Sequence, residues 1–146
     1  TPADEADDDH ARALAAEGRE AAPRMAAALA SAGAAPNVAL VSDSKRTRET
    51  WDLAAPSFGQ AKVTFLRSLY LCPAETLMLE AEKTGANSVM LVGHNPGMHE
   101  LATRLAYRNT ELDQKLRAKF PPAAGAIFER KDARSSWRLM AYVTPK

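Results

Sequence analysis

The sequence contains a single cysteine, Cys72. One thiol excludes an intrachain disulfide and any metal site built from several cysteines, and it fits a reducing compartment. We interpret Cys72 as a small buried hydrophobic residue rather than as a nucleophile.

Long hydrophobic runs are also absent. No stretch approaches the roughly 18 apolar residues of a membrane-spanning helix, and no signal peptide is recognisable. Basic and acidic residues are nearly balanced, 19 against 18, and no lysine- or arginine-rich run occurs. The composition predicts a single cytoplasmic domain that contacts neither a membrane nor a nucleic acid.

The most informative stretch is an apolar run that ends in a polar turn. Residues 89–92 have the pattern of a strand buried on both faces, and residues 93–97 (GHNPG) form a glycine- and proline-flanked turn. Apolar residues then recur at helical spacing through residue 105. His94 therefore lies at the carboxyl end of a strand, which is where open parallel sheets bind their ligands.

An earlier segment repeats this arrangement with a different functional group. Residues 37–42 are a short apolar run, and residues 43–46 (DSKR) are a polar turn before a helix over residues 47–54. Asp43 or Ser44 is the expected N-cap. The two units predict that Arg46 and His94 meet at one edge of the sheet, beside helix N-termini that favour an anion. A phosphate group fits such a site.

Each feature also has a purely structural explanation. A histidine in a turn can satisfy loop carbonyl groups, and an arginine at a helix start is commonly a solvated charge. The occurrence of both at equivalent strand ends in one small chain favours the functional interpretation.

The remaining patterns indicate alternating strands and helices. Helices are predicted over residues 14–32, 74–84 and 111–118, a weaker strand over 63–66, and a hairpin that joins strands 126–130 and 137–143. This order predicts an α/β domain with a mostly parallel sheet, an antiparallel C-terminal edge, and one strand fewer at the start than the usual strand-first pattern.

His10 is the one other histidine that invites a metal-binding interpretation, because it follows three aspartates. No second ligand cluster at metal spacing accompanies it. We therefore expect a solvated acidic loop there, and we predict neither a metal nor an organic cofactor.

Three stretches, in this order, resemble the histidine phosphatase (phosphoglycerate mutase-like) superfamily, and specifically its short SixA-type phosphohistidine phosphatase branch. They are residues 42–51 (SDSKRTRETW), 69–70 (LY) and 92–97 (VGHNPG). Residues 9–14 (DHARAL), followed by Gly18, are similar to that branch's entry into its first helix. Residues 120–124 (FPPAA) resemble its late turn.

The resemblance implies a three-layer α/β/α sandwich that works without metal or cofactor. It assigns Arg46 and His94 as catalytic residues that bind the phosphoryl oxygens, and Arg12 and Asn95 as substrate-binding residues. In such enzymes a histidine attacks phosphorus, and the phosphohistidine that forms is then hydrolysed. The implied partner is a phosphorylated protein or a small phosphorylated substrate.

The sequence departs from the family at the nucleophile. No Arg-His-Gly or Arg-His-Ala motif occurs, and the motif does not assign that role to His10. We therefore expect residues 1–146 to be one histidine phosphatase-like domain without its N-terminal strand and catalytic loop. The expected function is a phosphatase of protein phosphohistidine or small phosphoesters. The alternative is a non-catalytic module that binds phosphoproteins.

Overall fold

The computed structural model describes residues 9–144. Its helices are α1 (Ala16–Ser31), α2 (Lys45–Ala54), α3 (Ala74–Lys83), α4 (Gly97–Leu105) and α5 (Glu111–Ala118), with short 3₁₀ turns at Ala55–Phe58 and Arg67–Leu69. The strands are β1 (Val38–Ser42), β2 (Lys62–Leu66), β3 (Val89–Val92), β4 (Gly125–Glu129) and β5 (Arg138–Val143).

Strand β1 lies in the middle of a parallel sheet with the order β2-β1-β3. Val41 of β1 is level with Phe65 of β2 and with Val92 of β3, so all three strands end at the same edge. The predicted parallel arrangement of β1 and β3 is confirmed. Short apolar strands with helices between them favour this pairing, because a parallel sheet needs cover on both faces.

The two faces of β1 pack against different helices. Ala39 and Val41 are fully buried and share a core with α1, α2 and the 3₁₀ turn that follows α2. Leu40, on the opposite face, packs with Leu77 of α3 and Leu101 of α4. Alternation of side chains along the strand thus produces the predicted three-layer α/β/α sandwich.

The C-terminal hairpin differs from the expected sheet edge. Strands β4 and β5 pair antiparallel, but in residues 9–144 they form a separate two-stranded sheet. Within that part of the chain β3 pairs only with β1, and all four residues of β3 are partly exposed. Complete burial of β3 was therefore a wrong prediction. Both of its faces carry apolar contacts, but one edge has no strand beside it among the described residues.

Local sequence signals explain most helix boundaries. The Thr110 hydroxyl and the Asp113 carboxylate form a reciprocal capping box at the start of α5, which was predicted as a helix over residues 111–118. Ser44, one of the two expected N-caps, accepts a hydrogen bond from the backbone N–H of Thr47. Pro23 lies inside α1 without ending it.

The start of α4 depends on a close backbone approach at Gly97. A Cβ atom built on Gly97 would lie 2.1 Å from the carbonyl oxygen of Cys72. That oxygen belongs to the backbone just before α3, so neither partner can move without shifting a helix. Glycine at this position lets the turn that carries His94 pack against the α3 side of the sheet.

Gly97→Ala is therefore expected to lower the free energy of unfolding by about 2 kcal/mol or more, in the range of overpacking substitutions. Gly59→Ala is the matched control, because its Cβ meets nothing within 4 Å and its φ is −59°. The control should stay within about 0.5 kcal/mol of the parent chain. Urea unfolding of the three chains measures both values, and equal stability of the two variants would contradict the packing argument.

Candidate functional site

Arg46 and His94 meet at the carboxyl edge of the parallel sheet. Arg46 is the second residue of α2, and His94 is the second residue after β3. Because β1 and β3 are parallel neighbours that end level, the segments that follow them lie side by side. Nη2 of Arg46 is 3.1 Å from Nδ1 of His94. The predicted convergence of these two side chains is confirmed.

The hydrogen bonds of His94 fix its tautomer. A guanidinium group only donates, so Nδ1 of His94 accepts from Arg46 and its proton is on Nε2. Nε2 then donates to Oγ of Ser42 at 2.8 Å. Ser42 is the last residue of β1 and is fully buried. The imidazole is thus held between the end of β1 and the start of α2.

This environment keeps His94 neutral. Burial is the main cause, and the positive charge of Arg46 adds to it, so the pKa of His94 falls from 6.5 to about 4. The negative charge of Asp9 opposes this shift, and His10 contributes weakly to it. His94 is only 8% exposed, and a neutral imidazole beside a guanidinium avoids two adjacent positive charges.

The turn between β1 and α2 is stabilised by its own side chains. Oγ1 of Thr47 donates to the backbone carbonyl of Ser42 at 2.6 Å, and Ser44 caps the helix. Ser42, Ser44 and Thr47 are all buried. Their hydrogen bonds fix the direction in which Arg46 leaves the helix.

A carboxylate lies on the guanidinium group of Arg46. Nη1 of Arg46 is 3.3 Å from Oδ1 of Asp9, and Nη2 is 3.4 Å from Oδ2. The hydroxyl of Tyr70 also donates to Oδ2, and Nη2 of Arg12 is 3.2 Å from Oδ1. The bond from Tyr70 and the charges of Arg46 and Arg12 lower the pKa of Asp9, against a partial opposing effect of burial. Asp9 is therefore ionised at neutral pH.

Two aromatic contacts line the same region. The ring of Tyr70 lies edge-on to His94, with ring centroids 5.3 Å apart, and edge-on to His10 at 4.8 Å. Burial, followed by the hydrogen bond to Asp9, raises the pKa of Tyr70. Nε2 of His10 is 2.7 Å from Oδ1 of Asp43. The expected solvated loop was wrong here, since the His10 side chain is only 23% exposed.

Arg12 and Asn95 lie further from the contact between Arg46 and His94. Arg12 is 65% exposed and reaches the site through Asp9. The Asn95 amide donates to the carbonyl of Phe120 at 2.9 Å and accepts from the N–H of His99 at 3.1 Å. Asn95 therefore joins the turn after β3 to the loop after α5 and to the first turn of α4. The role of both residues in substrate binding stays a prediction.

Sequence reasoning missed two members of the site. Asp9 is the last of three consecutive aspartates, and it was noted only as the first residue of a stretch that resembles the branch's entry into its first helix. Tyr70 follows a weak strand and was noted only as part of a resemblance. Its position becomes evident once the turn after β2 is placed beside the ends of β1 and β3.

The assembled groups suit an oxyanion. A guanidinium, an imidazole and a phenol converge where two parallel strands end. In residues 9–144 no group of three or more His, Cys, Asp or Glu side chains is placed to hold a metal ion. None of the helices in this range is long and apolar enough to span a bilayer.

Known structures share this fold. A protein assigned as phosphohistidine phosphatase SixA from Agrobacterium tumefaciens is 28% identical, with a TM-score of 0.77 over 94% of this chain and 86% of that one. A protein assigned likewise from Nakamurella multipartitia is 23% identical, with a TM-score of 0.81 over 94% and 87%. A protein histidine phosphatase SixA complexed with tungstate is 22% identical, with a TM-score of 0.71 over 94% and 86%.

Sequence comparison adds one relative. An uncharacterized chloroplastic protein of Arabidopsis thaliana is 30% identical over 152 residues, which cover 94% of this chain and 69% of that protein. No family model matches the chain.

The low pKa of His94 predicts a pH dependence of stability. As the pH falls from 6.5 toward 4, the unfolded chain takes up a proton at this residue before the folded chain does, so the free energy of unfolding decreases. The full loss expected from His94 is about 3 kcal/mol. His94→Gln should remove the contribution of His94 to the pH dependence of the free energy of unfolding.

Urea unfolding at several pH values between 4 and 8 gives the free energy of unfolding of the parent chain and of His94→Gln. The contribution of His94 is the difference between the two chains in the slope of this free energy against pH. Titrating groups that do not interact with His94 contribute equally to both chains. The same slope in the parent and in His94→Gln would contradict a buried neutral imidazole.

Proposed function

Because this chain belongs to the SixA-type branch of the histidine phosphatase superfamily, we propose that it acts as a phosphatase on protein phosphohistidine or on small phosphoesters. The contact between Arg46 and His94 at the carboxyl edge of the sheet is the observation that supports this most strongly. Similarity to phosphatases does not favour the alternative of a non-catalytic binding module.

In this proposal Arg46 binds the phosphoryl oxygens. Its planar fork presents two N–H groups that match two oxygens of a tetrahedral anion, and its charge balances the charge that builds up during phosphoryl transfer. The side chain is 20% exposed, so it is accessible but partly shielded from water. Shielding of this kind strengthens its interaction with an anion.

In this proposal His94 also binds the phosphoryl group, but only in its protonated form. Its Nδ1 now accepts from Arg46, and in that state it cannot donate to an oxyanion. A phosphoryl dianion on Arg46 would offset the positive charge that lowers the pKa of His94, and would favour the imidazolium form. Protonated His94 then donates from Nδ1 to a phosphoryl oxygen. Binding of the substrate is therefore coupled to uptake of a proton at this residue.

The proposed route passes through a covalent phosphohistidine. A histidine nitrogen attacks phosphorus in line with the leaving group, a phosphorus–nitrogen bond forms, and the bond to the leaving group breaks. Water then hydrolyses the phosphohistidine. We assign the nucleophile to a strand and catalytic loop outside these 146 residues, and the open edge of β3 among the described residues supports a place for such a strand.

The charges of the site favour phosphohistidine among the possible substrates. Asp9 has a lowered pKa, so it is a poor proton donor. Glu75, in the first turn of α3, is exposed and pairs with Arg104 at 2.8 Å. The imidazole that leaves a phosphoramidate such as phosphohistidine needs less help from a general acid than an alkoxide does. This fits a site without a suitable carboxylic acid. The cytoplasmic location stays a prediction.

A turnover assay tests this function. The 146-residue chain should release no phosphate from a phosphohistidine-bearing protein, whereas the chain extended by the residues encoded upstream of Thr1 should do so, with a chelator present. In the extended chain, His94→Ala should slow turnover by roughly a hundredfold, as expected for loss of one donor to a charged transition state. Glu82→Gln, which removes a distant surface charge, should leave the rate unchanged.

Two results would contradict the proposal. Full activity of the 146-residue chain would show that the nucleophile is not missing from it. Loss of activity in the presence of the chelator would overturn the metal-free route.

A further inference from the structure

The carboxylate of Asp9 lies where a phosphoryl group would bind. We propose that Asp9 is an internal competitor for the phosphoryl site, and that the Tyr70 hydroxyl, which now holds Asp9, becomes a donor to the phosphoryl group once Asp9 leaves. This inference rests on the proposed function and deepens it.

The contacts of Asp9 are those expected of a bound anion. Its two carboxylate oxygens face the two terminal nitrogens of Arg46, and one of them also accepts from Tyr70. A phosphoryl group on Arg46 would present its oxygens to the same donors. The two anions cannot share the guanidinium fork, because like charges in contact repel each other strongly in a partly buried site.

Asp9 also reduces the attraction of the site for other anions. Its backbone carbonyl accepts from Nη1 of Arg46 at 3.0 Å, in addition to the two carboxylate contacts. Arg46 is therefore both neutralised and occupied. Arg12, the other cation that touches Asp9, is likewise engaged by it.

The chain beside Asp9 is attached through polar and ring contacts, since Nε2 of His10 lies 2.7 Å from Oδ1 of Asp43 and the His10 ring contacts Tyr70. Residues 11–13 are exposed and belong to neither a helix nor a strand. Beyond them the chain is attached again at Leu14, whose N–H donates to Glu49 at 2.8 Å. Displacement of Asp9 therefore breaks local polar contacts and leaves α1 in place.

Tyr70, in contrast, is fixed by packing. It follows the Arg67–Leu69 turn, where Leu69 is fully buried, and its ring contacts both His10 and His94. Its hydroxyl thus remains at the site after Asp9 moves away. Arg46 and Tyr70 together then present three donor atoms to one tetrahedral anion.

A competing explanation is that Asp9 holds Arg46 in the geometry that binds phosphate. The two explanations predict opposite effects of removing the carboxylate. A competitor weakens phosphate binding, so its loss increases affinity, whereas the loss of a positioning residue decreases affinity.

Calorimetric titration with inorganic phosphate, and separately with tungstate, distinguishes them. Asp9→Asn and Asp9→Ala should each bind at least about tenfold more tightly than the parent chain, since one strong charge–charge contact no longer has to be broken. Glu82→Gln is the control, because it removes a carboxylate that pairs only with Arg130 in the described region. Its affinity should equal that of the parent. Unchanged or weaker binding by both Asp9 variants would overturn the proposal.

Tyr70→Phe tests the second part. In the Asp9→Ala background this change should weaken phosphate binding about fivefold or more, as expected for one hydrogen bond to a charged group. In the parent background Tyr70→Phe should weaken phosphate binding less, because there it removes a hydrogen bond from Asp9 as well as from the phosphate. An equal or tighter affinity of Asp9→Ala/Tyr70→Phe, relative to Asp9→Ala, would contradict this role of Tyr70.

Arg46→Lys in the Asp9→Ala background separates this inference from the proposed function. If phosphate binding does not depend on Arg46, the proposed function fails. If binding depends on Arg46 but removal of the Asp9 carboxylate does not increase it, only the inference fails. Asp9→Asn keeps the shape of the side chain, so the test remains available if Asp9→Ala unfolds.

Discussion

The parallel pairing of β1 with β3 determines where the charged groups of this protein meet. Val41 and Val92 are level in the sheet, so the turns that follow β1 and β3 lie side by side at one edge. His94 then reaches Ser42 on one side and Arg46 on the other. Apolar side chains on both faces of β1 provide the pairing energy, and Gly97 allows the turn after β3 to pack against the backbone at Cys72.

The electrostatics of the site follow from this placement. Burial beside a guanidinium leaves His94 uncharged, with a pKa of about 4. Arg46 therefore carries the positive charge, and the carboxylate of Asp9 pairs with it. An incoming phosphoryl group competes with Asp9 for Arg46, and it favours a proton on His94. Binding of the anion, movement of Asp9 and protonation of His94 are thus linked in the proposed function.

Much of this could be predicted from the sequence, because the signals are local. Apolar runs located β1 and β3, the Thr110 capping box located the start of α5, and strand ends with Arg46 and His94 indicated the site. The rest depends on contacts between distant residues. Asp9 contacts Arg46 and Tyr70 through tertiary placement alone, and the separation of the β4–β5 hairpin depends on which strand edges meet. Neither the contacts of Asp9 nor the separation of the hairpin is marked in the sequence by a periodic pattern or a turn signal.

A crystal structure of the 146-residue chain with tungstate tests the central claim most directly, because tungsten scatters strongly enough to locate one tetrahedral anion. The account predicts tungstate between Arg46 and His94, with the Tyr70 hydroxyl as a further donor and the Asp9 carboxylate displaced from the guanidinium. Tungstate bound elsewhere, with the contact between Asp9 and Arg46 intact at saturating concentration, would contradict it.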